Sequence, residues 1–169
     1  ERRAREIYED YRFYDKKIYS YPAKDLLFFQ ADIHGNLLIR QRMQVIRALL
    51  EREDEITVVT SIDGCMDYLA PLEKIEKQLI HFRNDSTLDM DKLTAALVHM
   101  GYERVGQGEM PGQFSIRGGI IDIYSLTEEN PWRIELWGDE IDSIRSFDTQ
   151  SQRSLENLEE ITIYPAAEL

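Results

Sequence analysis

Three side chains in this sequence have the types and spacing to do chemistry, and it is the chemistry of holding another protein. Arg117 closes the stretch Gly112-Gln-Phe-Ser-Ile-Arg, which runs on through Gly-Gly-Ile-Ile-Asp-Ile-Tyr124. Arg133 and Trp137 lie in Pro131-Trp-Arg-Ile-Glu-Leu-Trp-Gly-Asp-Glu140. Both stretches read as strands, in which successive side chains point to opposite faces. Phe114 and Ile116 then point inward, with Ser115 and Arg117 outward. Trp132, Ile134 and Leu136 share the inner face, and Arg133, Glu135 and Trp137 share the outer one. The polar face therefore carries a large aromatic with two arginines, the residue types most enriched at interface hot spots. Trp137 is expected to be the apolar anchor between Arg117 and Arg133, and the arginines to bind carboxylates of the partner. The competing arrangement pairs the arginines with Asp122 or Glu135 across the strands and covers Trp137 with a loop.

Other chemistries find no foothold. There is no G-x-x-x-x-G-K-[ST] loop and no G-x-G-x-x-G. Gly106, Gly108 and Gly112 have the wrong spacing for a phosphate cradle and fall between strands, where glycines serve turns. His34, His81 and His99 lie in separate segments without partners at ligand spacing, so no metal site is expected. Cys65, the single cysteine, has no base beside it in sequence and reads as a small buried hydrophobe. Acidic pairs such as Asp139 and Glu140 sit at turns, where solvent keeps them ordinary. No catalytic residue and no cofactor site are expected, and the chain is expected neither to bind nor to hydrolyse ATP.

The elements that must position the three residues follow from periodicity. Ala4, Ile7, Tyr8 and Tyr11 mark an amphipathic helix over 2–14. Residues 16–21 and 25–29 read as extended pieces divided by Pro22. Asn36 is placed to cap a helix to about Arg52, with Leu38, Val45, Ile46, Leu49 and Leu50 inward and Arg40, Gln44, Arg47 and Glu51 outward. Ile56–Thr60 reads as a buried parallel strand, followed by a short helix through Asp67. This order predicts an α/β layered lobe over residues 1–69.

The pattern changes near Ala70-Pro71. Lys74–Phe82 alternates as a strand, and Ser86-x-x-Asp89 resembles a capping box. It opens a helix with Met90, Leu93, Leu97 and Met100 on one face, ending at Gly101. Strands are then expected at 102–109, 113–117, 119–124, 132–137, 140–147 and 160–164. Gly138-Asp139 is a hairpin turn, and Gly118-Gly119 a second turn or a bulge. Residues 70–169 thus form an α+β lobe with a mostly antiparallel sheet and one helix, and the whole chain is of the α/β class.

Composition agrees. The 169 residues are 43% hydrophobic and 31% charged, which suits a folded domain rather than a disordered one. No apolar run approaches the roughly 20 residues of a membrane span. One cysteine fits a reducing cytoplasm. The net charge is −12, and residues 126–169 hold eleven acidic side chains against three basic. That balance opposes phosphate and argues for a protein partner over nucleic acid.

The two strands above, with Arg133 to Asp148, Ser151-Gln-Arg-Ser154 and Ile161-Thr-Ile-Tyr-Pro-Ala166, closely resemble the N-terminal region of the Mfd family of bacterial transcription-repair coupling factors. That region is itself similar to part of the excision-repair helicase UvrB. The resemblance covers essentially the whole chain and is strongest from 101 to 166. Asp25–His34 and Arg40-Gln-Arg42 share it, and the long Tyr-rich insertion of UvrB before that helix is absent.

The resemblance implies a fragment of an ATP-driven translocase of double-stranded DNA that displaces stalled RNA polymerase and recruits UvrA. ATP and magnesium would belong to a motor downstream of this region. Residues 1–69 would resemble a motor domain without its phosphate loop, and the lobe from about 70 to 165 would be the UvrA-binding domain shared with UvrB. The family's contact residues are an arginine in the x-x-R-G strand, an arginine opening R-x-[ED]-x-[aromatic], and the closing aromatic. They fall on Arg117, Arg133 and Trp137, where Phe is common at the last position. UvrB-type sequences often place an acidic residue two after the first arginine, and Gly119 stands there instead. The alternative is a fragment of a UvrB-like helicase with a DNA-binding role, opposed by the missing phosphate loop and the acidic charge.

Overall fold

Two strands that run the same way need a crossover between them, and a helix supplies it here. A computed structural model describes residues 1–24, 34–108 and 110–168, the side chains of residues 34–36 excepted. Strand β1 (Ile18–Tyr21) pairs in parallel with β2 (Thr57–Thr60), and helix α2 (His34–Leu50) lies between them in sequence. Helix α1 (Arg2–Tyr11) precedes this unit, and α3 (Ile62–Met66) and α4 (Leu72–Glu76) follow it. These elements make one compact unit, residues 1–76.

Several expectations change in this unit. Helix α2 starts at His34, so Asn36 lies inside it rather than at its cap. The extended piece expected at 25–29 lies outside the described residues. On α2, Leu38, Val45 and Ile46 are buried as expected, but Leu49 is exposed. The inward face instead includes Arg42, which is fully buried. Its guanidinium donates to the Pro22 carbonyl, to Asp67 at 3.2 Å and to the Tyr21 hydroxyl at 2.8 Å, and stacks 4.1 Å from the Tyr21 ring. A buried arginine persists only when its donors are satisfied in this way. Strand β2 is not buried: Thr57 and Val58 are exposed, and among the described residues its sheet has only β1 beside it. Helix α1 has no fully buried residue and ends at Tyr11, before the expected 14. Cys65 on α3 is exposed, because Gly64 takes the inward position of that short turn.

The second compact unit spans residues 77–168. Its main sheet has six strands in the order β4 (Glu103–Arg104), β5 (Gln113–Arg117), β6 (Ile120–Ile123), β7 (Trp132–Trp137), β8 (Glu140–Phe147) and β9 (Ser154–Asn157). All neighbours are antiparallel except β4 and β5. A separate pair joins β3 (Ile80–Arg83) to β10 (Glu160–Ile163). The core collects Phe114, Ile121, Ile123, Trp132, Ile134 and Ile144 from the sheet, with Leu93, Leu97 and Met100 from helix α5 (Met90–His99) and its cap. The chain is thus a mixed α/β protein with a mostly antiparallel sheet.

Here too the boundaries move for physical reasons. The strand expected over 74–82 is only Ile80–Arg83, because Pro71 opens helix α4 and its carbonyl accepts from the Lys74 and Ile75 amides. The cap of α5 is Asp89, not Ser86: its carboxylate accepts from the Asp91 and Lys92 amides. The chain cannot turn helical sooner. Thr87 bridges Glu140, and the Leu88 amide donates to the Asp139 carbonyl at 2.8 Å, which keeps 87–88 extended beside the β7–β8 hairpin. The strand expected at 102–109 shrinks to two residues, its last ladder bond running from the Val105 amide to Phe114 before Gly106 and Gly108. Strand β9 was not expected: all four of its residues are exposed, so it has no inward face to reveal it.

The end of α5 does follow expectation. Gly101 has φ +89°, its amide donates to Val98, and the Tyr102 amide donates back to Leu97, the paired bonds of a Schellman motif. A Cβ at Gly101 would lie 2.6 Å from that of Ala167. Gly101→Ala is therefore expected to cost about 2 kcal/mol, from left-handed strain plus the clash. Gly106→Ala, where a Cβ meets nothing within 4 Å, is the comparison. Equal thermal midpoints for the two variants would refute the assignment.

Candidate docking face

The outer face of the six-stranded sheet is built by register. Ser115, Asp122, Arg133, Arg145 and Asn157 lie opposite one another across five strands. The neighbouring row is Arg117, Ile120, Glu135 and Ser143, and Trp137 pairs with Glu140 beyond it. The sequence-derived trio does share this face. Trp137, however, closes the end of β7 past Glu135 and does not stand between the arginines.

At the centre is Asp122, a carboxylate only 3% exposed. Arg133 grips it side-on with the Nε/Nη2 edge of its guanidinium, Nε to Oδ1 at 2.7 Å and Nη2 to Oδ2 at 2.8 Å. Arg117 reaches the same Oδ2 at 2.9 Å. Such bidentate, charge-assisted bonds are the strong ones. Arg133 also stacks 4.2 Å from the Phe147 ring and donates to the Gln152 side-chain oxygen at 2.9 Å. Gln152 is presented by the 148–153 turn, in which it adopts φ +60° and Asp148 accepts from the Ser151 amide at 2.7 Å. That amide bond holds the Asp148 carboxyl below its usual range. Donating to Asp122 raises Arg133 further above its already high value.

The competing arrangement thus holds for the arginines and fails for the tryptophan. Both arginines pair with Asp122, and Arg145 pairs with Glu135. Trp137 is 82% exposed. Its surroundings are nonetheless fixed. Gly138, with φ +63° at the first turn position, makes the tight two-residue hairpin, and the hairpin is tied to the 86–88 segment by the Leu88 amide donating to the Asp139 carbonyl and the Ile141 amide donating to the Ser86 carbonyl.

The two arginines are unlike. The Arg133 side chain is 13% exposed and fully engaged. That of Arg117 is 48% exposed, and among the described residues it makes only the bond to Asp122. Ser115 departs from expectation altogether: it is 1% exposed, and its hydroxyl has no partner among the described residues. The alternation is right about its face but not about its depth: Ser115 and Asp122 at this end of the row are buried, while Asn157 at the other end is exposed.

Sequence reasoning weighed Asp122 only as a competing partner and passed over Phe147 and Gln152. The signal for Asp122 was its place opposite Arg133 once the strands were paired. Gly119 joins β5 to β6, where a Cβ would come within 3.1 Å of the Leu136 carbonyl. The carboxylate for Arg117 comes from β6 instead.

Elsewhere, a cleft of about 370 Å³ lies in the first unit beside the carboxyl ends of β1 and β2, lined by Tyr8, Tyr21, Gln41, Thr60 and Ser61 among others. The Glu1 carboxylate reaches its rim and accepts from the Ser61 hydroxyl and the Ala23 amide, so an anion of the chain itself sits at the start of α3. Among the described residues no three metal-ligating side chains come together, and no helix is long and apolar enough to cross a membrane. His81 and His99 are exposed, and the His34 side chain lies outside the described residues.

A family model described as the UvrB interaction domain matches residues 80–169, the greater part of the second unit. The chain belongs to that family. It is also similar to the transcription-repair-coupling factor of Bacillus subtilis (strain 168), 44% identical over 157 residues. The factors of Staphylococcus aureus (strain MRSA252) and Staphylococcus haemolyticus (strain JCSC1435) are each 36% identical, over 153 and 152 residues. These alignments take in 90–92% of this chain and 13% of each relative. The UvrB interaction domain therefore accounts for the sheet that carries Arg117, Arg133 and Trp137, and the relatives' similarity extends into the α/β unit before it.

Proposed function

We propose that the chain is a non-catalytic docking module that holds UvrA on the outer face of its six-stranded sheet. In a parent resembling the transcription-repair-coupling factors it would bring excision repair to stalled RNA polymerase. The observation that carries this reading is Trp137, a large apolar side chain exposed on an anchored hairpin. Around it the face holds Arg117, Arg133 and Arg145 with the carboxylates Asp122, Glu135 and Glu140, in a chain of net charge −12. An aromatic anchor with the half-exposed Arg117 guanidinium on the same face suits a partner surface that offers a carboxylate and an apolar pocket. RNA polymerase, duplex DNA, ATP and magnesium belong in this reading to other parts of the parent, and the module works in the cytoplasm. A DNA-binding helicase fragment has less support, since residues 126–169 are strongly acidic.

Calorimetric titration of UvrA into the chain is expected to give saturable binding with a dissociation constant below about 10 μM, a specific rather than a chance association. No saturation at roughly ten times that concentration would sink the reading.

A further inference from the structure

The geometry points to Asp122 as a positioning residue for docking, one that touches no partner itself but sets Arg117 in the posture that captures a partner carboxylate. This rests on the docking reading above and adds a division of labour within it.

Asp122 is nearly inaccessible, so a partner cannot reach it. Its two oxygens accept three bonds, two from Arg133 and one from Arg117. Arg133 is used up by this arrangement: Nε and Nη2 are on Asp122, Nη2 also serves Gln152, and the plane lies on Phe147. Its charge is neutralised where it stands. Arg117 gives Asp122 one Nη2 bond and leaves Nε and Nη1 to solvent on a half-exposed arm. One carboxylate between two guanidiniums leaves one net positive charge, and the accessible carrier of that charge is Arg117.

An unrestrained arginine on a strand end must surrender its rotamer freedom when it docks. Here one bond has already fixed the arm, and the planar group keeps its remaining donors in a set direction. Capture of a partner carboxylate then costs less ordering, and Asp122 contributes to affinity without lying in the contact.

The test is a double-mutant cycle read by calorimetry with UvrA, alongside thermal melts. Asp122→Asn keeps the shape and removes the charge. It is expected to weaken binding on the order of tenfold in the otherwise native chain, and by no more than about twofold in the Arg117→Ala background. A merely structural Asp122 would weaken both backgrounds by the same factor, and that result overturns the assignment. So does native affinity for Asp122→Asn. If Asp122→Asn does not fold, Asp122→Glu runs the same cycle: it keeps the charge but lengthens the arm by one methylene, and the same coupled loss is expected. Trp137→Ala separates the two levels of the reading. If Arg117→Ala and Trp137→Ala both bind UvrA like the native chain, the docking face is wrong and the positioning role falls with it. If both lose binding while Asp122→Asn acts independently of Arg117, the face stands and only the positioning role falls.

Discussion

Trp137→Ala is expected to weaken UvrA binding at least thirtyfold, on the order of 2 kcal/mol, and to leave the thermal midpoint unchanged. The two halves of this expectation have separate causes. Exposed aromatics that become fully desolvated in a complex are the commonest hot spots, and truncating one removes both its burial and its fit. In the free chain, by contrast, Trp137 is 82% exposed and supports nothing in the core. Surface changes of that kind fall within about 0.5 kcal/mol. The hairpin beneath keeps its own ties through Leu88, Asp139 and Ile141, none of which involves the indole. Native affinity for the variant would refute the anchor role. A large fall in melting temperature would show that the indole supports the fold.

Arg133→Ala is expected to behave differently: it should both unfold the second unit more easily and lose UvrA. The sequence alone predicts no stability effect, because alternation points Arg133 away from the core. The structure overturns that expectation. Removing Arg133 strips two of the three bonds from a carboxylate only 3% exposed, and bares the Phe147 ring. Breaking a buried charge pair from one side is strongly destabilising. Because Arg117 still bonds Asp122, we expect about 2 kcal/mol, near 10 °C for a domain of this size. Lysine should not rescue, since it cannot reproduce the planar two-pronged grip. Removing the stranded charge as well, in Arg133→Ala with Asp122→Asn, should recover part of the stability. Melting of Arg133→Ala at the native temperature would contradict this account.

The contrast between these two residues shows what the sequence could and could not convey. Strict alternation in Trp132–Trp137 assigned every side chain to its correct face, because the strand is long, paired on both sides and clean in pattern. It could not say how deep a face lies. Ser115 and Arg133 point outward yet are covered; the Arg133 arm folds back onto Asp122 and the Phe147 ring. Pairing decides that, and pairing is set by turns and registers distant in sequence. The Gly118-Gly119 and Gly138-Asp139 turns were legible from their glycines, and with them β5 to β8. Strand β9 and the cap at Asp89 were not, because both depend on partners far along the chain: β8 for one, the tip of the β7–β8 hairpin for the other. Arg42 is the same lesson in the first unit. An arginine on a helix reads as wet until the acceptors from Tyr21, Pro22 and Asp67 are folded around it.

The two indoles of β7 make the chain its own optical instrument. Trp132 is enclosed in the core and Trp137 stands in water, five residues apart on opposite faces of one strand. Excited together, they should emit as two populations: one blue-shifted and shielded from a dissolved quencher such as iodide, the other red-shifted and open to it. Loss of the shielded component would report melting of the sheet. Loss of quenching at the open component, with the shielded one unmoved, would report a partner seated on the face. No dye or tag is needed, and because the sequence holds no other tryptophan, the two signals divide cleanly between fold and contact.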